Sequence, residues 1–171
     1  MNVDVFIPCF IDQFYPETAF NFIKVLERAG CEVQYNPEQT CCGQPSFNSG
    51  YWKETKTLAI KFMHDFQNAN IIVSPSASCT GFIKNYYQKV FADDSTELAK
   101  VTQLSPRIFE FSDFLVNQIK KIEFGSVFQH KVTFHDSCAG LREYGINKEP
   151  RTLLQNVKGL ELIEMENLTT C

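Results

Sequence analysis

The sequence predicts an α/β fold with a mainly parallel sheet flanked by helices, and three observations support this prediction. Segments typical of short strands alternate with segments typical of helices along most of the 171 residues, which is the order found in parallel sheets. Three cysteines each follow directly on a predicted strand. The order of elements also starts again near the end of the chain, so we expect an internal duplication whose second repeat is incomplete.

The first part of the chain is predicted to form three strands and three helices. The first helix opens at Pro16 and ends at Gly30, a residue suited to the left-handed conformation that closes many helices. The apolar stripe of the second helix is expected to pack into the core. The apolar positions are Phe20, Ile23, Val25 and Leu26 in the first helix and Trp52, Leu58, Phe62 and Phe66 in the second. In chain order the elements are strand 4–8, helix 16–29, strand 31–35, helix 51–66, strand 71–74 and helix 80–91.

The rest of the chain is predicted to continue this alternation. The acidic run at 93–96 is interpreted as a solvated loop or the start of a short helix, and 111–120 as an amphipathic helix. Residues 123–129 are interpreted as a linker. A strand, a helix and a strand then follow at 131–135, 149–157 and 160–165. We therefore divide the chain into a first cysteine-rich repeat over 1–125 and the beginning of a second cysteine-rich repeat over 126–171.

Composition and charge exclude several classes of function. The formal net charge of −4, with only Lys120 and Lys121 adjacent, gives no support for nucleic-acid binding. The amino terminus lacks the basic start and apolar run of a secretory signal, and no stretch has the length of a transmembrane span, so we expect a cytoplasmic protein. Seven cysteines, an odd number, are not expected to form a disulfide framework in a reducing compartment. They are metal ligands, redox catalysts or plain buried residues.

The doublet Cys41–Cys42, followed at once by Gly43, is the most informative motif. A disulfide between neighbours strains the peptide bond, whereas one tight turn can present both thiolates to a polynuclear metal centre. Cys9 and Cys79 each follow a predicted strand, and ligands in such folds bind beyond the carboxyl ends of the strands. The residues alone leave three interpretations open: unmodified core cysteines, a zinc site or an iron–sulfur cluster. Zinc sites usually space their paired cysteines two residues apart rather than placing them side by side.

The region around Cys138 repeats the region around Cys9. Each copy continues through a helix, a closing glycine, a strand and a Thr-Cys pair, an order typical of duplicated supersecondary units. Because Cys138 also follows a predicted strand, we expect it at the same sheet edge as Cys9 and Cys79. The sequence stops on the first thiol of the second pair, so we expect a fragment or an early-stopped product. The corresponding residues are Gly30 and Gly159, Thr40–Cys41 and Thr170–Cys171.

These motifs resemble those of the cysteine-rich Cys-Cys-Gly domain family. The family includes the iron–sulfur proteins of lactate utilization and of glycolate oxidase, and the cysteine-rich components of anaerobic glycerol-3-phosphate dehydrogenase and of heterodisulfide reductase. The segment that begins at Cys138 and runs through Gly145 is most similar to the lactate utilization branch. The resemblance covers essentially the whole chain, and its matching stretches are 8–9, 40–45, 76–81 and 135–142.

The resemblance implies an iron–sulfur protein that transfers electrons within a complex oxidising L-lactate, a 2-hydroxy acid, to pyruvate. The implied partners are lactate utilization proteins B and C, and the chain is expected to be a redox subunit rather than an enzyme alone. The implied cofactor is a four-iron (4Fe-4S) cluster that we expect to be lost in air, with zinc as the alternative metal. Carried over by residue, the ligands are Cys9, Cys41, Cys42 and Cys79, with Cys138 and Cys171 as an incomplete second site.

One position departs from the heterodisulfide reductase branch. Those proteins carry a further cysteine three residues after the position of Cys79, and this chain has Phe82 there. A thiol–disulfide reductase is therefore the second hypothesis rather than the first. A third hypothesis, from another class, is a zinc-binding or structural module that only mediates assembly.

Overall fold

The structure, a computed structural model, describes residues 1–166. Within these residues no helix has the length and apolar character needed to cross a membrane. The strands are β1 (Asn2–Val5), β2 (Glu32–Tyr35), β3 (Ile72–Ser74), β4 (Ile108–Glu110), β5 (Lys131–Val132) and β6 (Glu161–Leu162). The helices are α1 (Cys9–Phe14), α2 (Pro16–Arg28), α3 (Gln44–Asn48), α4 (Trp52–Asp65), α5 (Ala77–Val90), α6 (Ser95–Leu104), α7 (Phe111–Asp113) and α8 (Lys148–Gln155). A 3₁₀ turn lies at Ser105–Arg107, and π-helical segments lie at Phe114–Gln118 and Ala139–Tyr144.

Strands β1 to β4 form one parallel sheet in the order β2-β1-β3-β4. Helices connect successive strands, as parallel pairing requires. The predicted α/β fold with a mainly parallel sheet is therefore confirmed. Strand β4 was not among the predicted strands, because three residues directly after a proline-containing turn are too few to show a periodic pattern.

The core of this sheet has two parts, one on each face. Because successive residues of a strand point to opposite faces, Ile72 belongs to one part and Val73 to the other. The first part is rich in aromatic rings from α4 and α5, and the Phe6 ring meets the Phe62 ring edge-on at 4.9 Å between centroids. The second part lies against α2 and α7, and includes Val3, Val5, Phe22, Leu26 and Phe114.

The predicted apolar stripes are only partly buried. In α2 the buried residues are Phe22 and Leu26, whereas Phe20 keeps 63% of its surface exposed. In α4 the prediction that Trp52 packs into the core is wrong, because Trp52 is 57% exposed and its ring contacts Phe47 at 4.7 Å between centroids. Trp52 is the first residue of α4. Phe20 lies on the outward face of α2, because the residues of α2 that pack in the core are Ala19, Phe22, Ile23, Val25 and Leu26.

The internal repeat is visible as a second, two-stranded parallel sheet formed by β5 and β6. Val132 pairs with Leu162 there as Val3 pairs with Val33 in the first sheet, and each residue of the second pair lies 129 positions after its counterpart. The predicted strands at 131–135 and 160–165 are thus present but shorter, with two residues each. The glycines that precede β2 and β6 both have positive φ, +87° at Gly30 and +81° at Gly159, as their predicted role required.

Candidate metal centre

Four cysteines from three loops surround one cavity of about 300 Å³. Cys9 is the first residue of α1 and follows β1, while Cys41 and Cys42 lie in the loop between β2 and α3. Cys79 lies in the first turn of α5, after β3. Because the strands are parallel and adjacent, their carboxyl ends bring these loops to one edge of the sheet. The remaining lining residues are Pro8, Phe10, Ile11, Gln44, Pro45, Ser76 and Ser78, so no histidine or carboxylate lines this cavity.

The doublet is held in a turn that requires glycine at its third position. Gly43 has a φ of +88°, in the left-handed region that other residues adopt at a cost of about 1–2 kcal/mol. From this conformation the Gly43 N–H donates to the Cys41 Sγ at 3.4 Å. The carbonyl of Gly43 in turn accepts from the Ser46 hydroxyl at 2.8 Å. The turn therefore supplies a backbone donor to one of the sulfurs it presents.

Tyr87 fixes the other cysteine of the doublet. Its side chain is completely buried, and its hydroxyl donates to the backbone carbonyl of Cys42 at 2.8 Å. Burial also raises the pKa of Tyr87 well above its ordinary value, so this phenol keeps its proton and remains a donor. The role of Tyr87 was not predicted, because its position in a helical stripe indicates packing and says nothing of its hydroxyl.

Gln39 joins the two loops that carry Cys9 and Cys41. Its side-chain oxygen accepts from the Ile7 N–H at 2.7 Å, and its side-chain nitrogen donates to the Val5 carbonyl at 3.2 Å. These bonds fix the chain that leaves β1 just before Cys9. No sequence pattern identifies this residue, because a polar side chain in a loop is ordinary.

Ser76 positions the fourth cysteine. Its hydroxyl caps α5 by accepting from the Cys79 N–H at 3.4 Å, which is a long hydrogen bond, and its carbonyl accepts from the Thr80 hydroxyl at 2.7 Å. Serine at the N-cap satisfies backbone donors that a helix start leaves open. The pattern of a serine three residues before Cys79 was a readable signal for this helix start, which lies three residues before the predicted one.

The four thiols shift one another's pKa values, with Cys9 interacting with Cys41, Cys41 with Cys42, and Cys42 with Cys79. Hydrogen bonds from the Cys42 thiol and the Gly43 N–H lower the pKa of Cys41, and the Cys42 thiol likewise lowers the pKa of Cys79. The pKa of Cys42 is raised because it is the donor to both neighbours and is buried. Partial desolvation and the neighbouring sulfurs raise the pKa of Cys9 to about 11, although this residue is the most exposed of the four. The pKa shifts of the four thiols thus run in opposite directions, downward at Cys41 and Cys79 and upward at Cys9 and Cys42.

The donor set fits a thiophilic metal centre. Four cysteines, with no carboxylate or imidazole among the described lining residues, form a donor set that favours iron–sulfur clusters or zinc over hard cations. The Thr40 hydroxyl, next to Cys41, is buried and has no hydrogen-bond partner among the described residues, and Thr40 lines a neighbouring cavity of about 340 Å³ that Cys9 and Cys41 also line. As they stand, no three Cys, His, Asp or Glu side chains in residues 1–166 are arranged to hold a single metal ion.

Cys138 lies at a different place from the one expected. It follows β5 of the second sheet and lines a separate cavity of about 410 Å³ with Gln44, Phe47 and Phe82. Gln44 also lines the cysteine cavity, so the two cavities are neighbours. The expectation that Cys138 shares the sheet edge of Cys9 and Cys79 is therefore wrong, because the repeat builds its own sheet. Cys171 lies outside the described residues.

Comparisons with known proteins cover the segments that carry these cysteines. A family model described as a cysteine-rich domain matches residues 3–84 and 132–171. Lactate utilization protein A of Halalkalibacterium halodurans is 40% identical over the whole chain, which spans 70% of that protein. Lactate utilization protein A 2 of Bacillus cereus is 37% identical and lactate utilization protein A of a Geobacillus species 39% identical, each over the whole chain and 71% of the relative.

Proposed function

This chain belongs to the cysteine-rich domain family, together with the lactate utilization proteins A, and on that premise we propose that it is the iron–sulfur electron-transfer component of an L-lactate-oxidising complex. The observation that carries the proposal is the convergence of Cys9, Cys41, Cys42 and Cys79 on one cavity. The names of the relatives supply the pathway, lactate utilization, and the thiols supply the chemistry.

The four thiolates are the proposed ligands of a 4Fe-4S cluster. Such a cluster, when bound, accepts and passes on single electrons at a potential set by its ligands, hydrogen bonds and burial. The chain provides each of these: four cysteines as the proposed ligands, the Gly43 N–H that donates to one of their sulfurs, and burial of Cys42, which is 1% exposed. Zinc is the alternative occupant of the same four thiolates.

The oxidation of lactate itself is assigned to the partners. L-lactate loses two electrons and two protons on becoming pyruvate, and the protons require a base. Among the described residues, no histidine or carboxylate lines the cysteine cavity, so none is placed in that cavity to take these protons. We therefore propose that lactate utilization proteins B and C complete the substrate site and that this chain receives the electrons, as a redox subunit rather than an enzyme alone.

The position of Phe82 favours electron transfer over thiol–disulfide reduction. Its side chain is 1% exposed, and its ring packs against those of Phe47, Tyr86 and Tyr87. An aromatic core residue therefore occupies the position where the heterodisulfide reductase branch has a further thiol. This chain therefore has no thiol at position 82 to react with a substrate disulfide.

The test is whether electrons from lactate reach this chain. The protein is reconstituted anaerobically with iron and sulfide, mixed with lactate utilization proteins B and C, and examined by electron paramagnetic resonance after addition of L-lactate. We expect a reduced-cluster signal that appears with L-lactate and is absent with D-lactate or without the partners. A cluster that dithionite reduces but L-lactate with both partners does not reduce contradicts the proposed function.

A further inference from the structure

Three exposed aromatic side chains form one surface on and directly after α1. Phe10, Phe14 and Tyr15 expose 60, 69 and 56% of their areas. The Phe10 ring lies 5.1 Å from the Phe14 ring and 5.6 Å from the Tyr15 ring, measured between centroids. We call these three residues the aromatic surface. Exposed apolar groups that touch one another mark an interaction site, whereas scattered ones do not.

The aromatic surface adjoins the cysteine cavity. Phe10 and the next residue, Ile11, line that cavity together with Cys9, which is exposed and begins the same helix. A molecule that covers the aromatic surface therefore lies beside Cys9. Electron transfer requires the two redox centres to approach closely. The aromatic surface is therefore a favourable place for a redox partner to contact this chain.

The charges around this edge have one sign. Asp12 lies within the aromatic segment and Glu17 in the first turn of α2, and neither forms an ion pair with another described residue. Glu38 lies in the loop that leads to Cys41. The first Lys or Arg along the chain is Lys24, nine residues after Tyr15. No Lys or Arg occurs between 29 and 52, the segment that contains Glu38 and the cysteine doublet. Asp12 also lines a cavity together with Cys9, Cys41 and both chain neighbours of Glu38. Acidic residues thus lie beside the thiols and next in sequence to the aromatic surface.

We propose that the aromatic surface is the docking site of a redox partner protein whose contact face has an apolar centre and a rim of Lys and Arg. The proposal rests on the electron-transfer function proposed above. Aromatic side chains are enriched at protein interfaces. Redox complexes have small interfaces, so three adjoining rings form a substantial share of the contact area. Asp12, Glu17 and Glu38 complement a basic rim, which accelerates encounter and selects the partner.

Charge also argues against a second copy of this chain at the same place. A symmetric dimer through the aromatic surface brings Asp12 and Glu17 of one copy towards the same residues of the other. Like charges brought together at an interface oppose association. A basic partner meets no such repulsion, so the charges favour a different protein.

The experiment measures the affinity of the anaerobically reconstituted full chain for lactate utilization proteins B and C, each titrated separately by calorimetry. The variants are Phe14→Ser, which removes the most exposed ring, and Asp12→Lys, which reverses a rim charge. The matched control is Phe128→Ser, an aromatic residue that is 47% exposed and lies near the second sheet. Circular dichroism verifies that each variant is folded.

We expect Phe14→Ser to weaken binding of one of the two proteins about tenfold or more, as loss of a central aromatic contact does. Asp12→Lys is expected to weaken binding at low salt and to approach the wild type at high salt, where charges are screened. Phe128→Ser is expected to change the affinity less than about twofold.

The proposal is overturned if Phe14→Ser binds both proteins as the wild type does, or if neither protein binds the wild type. It is also overturned if sedimentation shows that the aromatic surface instead joins two copies of this chain. Iron is measured in the same samples, so the two proposals fail separately. A chain that holds its cluster but does not dock through the aromatic surface loses only the docking site, whereas a chain that holds no iron loses the electron-transfer function.

Discussion

Residues 1–125 and residues 126–166, which we propose as a first and a second unit, begin with the same strand–helix–strand pattern but are stabilised differently. Within the described residues every buried hydrophobic side chain lies at or before Leu115. The second unit instead buries Asp136, which is 4% exposed and is held by Arg151. The same pattern therefore has an apolar core in the four-stranded sheet, whereas the two-stranded sheet is accompanied by a buried ion pair.

The second unit also depends on contacts with the first. The Tyr144 hydroxyl donates to the Asp113 carboxylate at 2.6 Å and accepts from the Glu110 N–H at 3.0 Å. Leu153 of α8 packs against the second part of the first unit's core. A metal centre needs rigid loops, and only the first unit has the core to hold three loops in place. The repeated sequence thus determines how two strands pair in each sheet. The further strands of the first sheet bring the cysteine loops together.

The largest effect is expected from breaking the ion pair of the second unit. Arg151 donates to both carboxylate oxygens of Asp136, at 2.8 and 2.9 Å, and its replacement in Arg151→Met leaves a buried charge without its partner. Such a loss costs about 3–5 kcal/mol. If 126–166 is a unit of its own, as we propose, native-state hydrogen exchange will show faster opening there and unchanged protection in β1 and β3.

The matched control for this change is Lys148→Met on the same helix, because Lys148 is exposed and forms no salt bridge among the described residues. It is expected to leave exchange almost unchanged. Equal loss of protection in both units on Arg151→Met would mean that the boundary near 125 does not separate two units.

A smaller effect is expected from removing the hydroxyl that holds Cys42. Tyr87→Phe leaves the buried Cys42 carbonyl without its 2.8 Å donor and is expected to cost about 1–3 kcal/mol in the free energy of unfolding. The neighbouring Tyr86→Phe removes a 3.2 Å hydrogen bond to Glu143 of the second unit and is expected to change stability less. Urea unfolding of the two variants measures the difference, and a larger loss for Tyr86→Phe would contradict our account of the doublet's support.

The sequence was sufficient to predict the parts of the fold that repeat a pattern. Alternating strands and helices predicted β1, β2 and β3. The rule that ligands bind at the carboxyl ends of parallel strands predicted a shared edge for Cys9, Cys79 and Cys138, and the structure brings Cys9 and Cys79 to one cavity but not Cys138. The grouping of Cys41 and Cys42 with Cys9 and Cys79 was implied by the family resemblance. The two short strands of the second sheet were predicted at greater length than they have.

The features that could not be predicted depend on tertiary contacts. Strand β4 is three residues long, and it exists because β3 offers it an edge. The side chain of Gln39 ties two loops that are far apart in sequence, and nothing local marks it. Cys138 was placed at the wrong edge because sequence similarity to the first repeat does not show that the second repeat pairs its strands separately.

The measurement that tests the central claim most directly is the iron and acid-labile sulfide content after anaerobic reconstitution, compared between Cys42→Ser and Cys138→Ser. Cys42 lies in the proposed first repeat and lines the cavity with three other thiols. Cys138 lies in the proposed second repeat and lines the neighbouring cavity. The account predicts close to four irons and four sulfides per chain in the wild type and in Cys138→Ser, with most of both lost in Cys42→Ser. A folded Cys42→Ser protein that keeps its iron, or a wild type that takes up zinc and no iron, would contradict it.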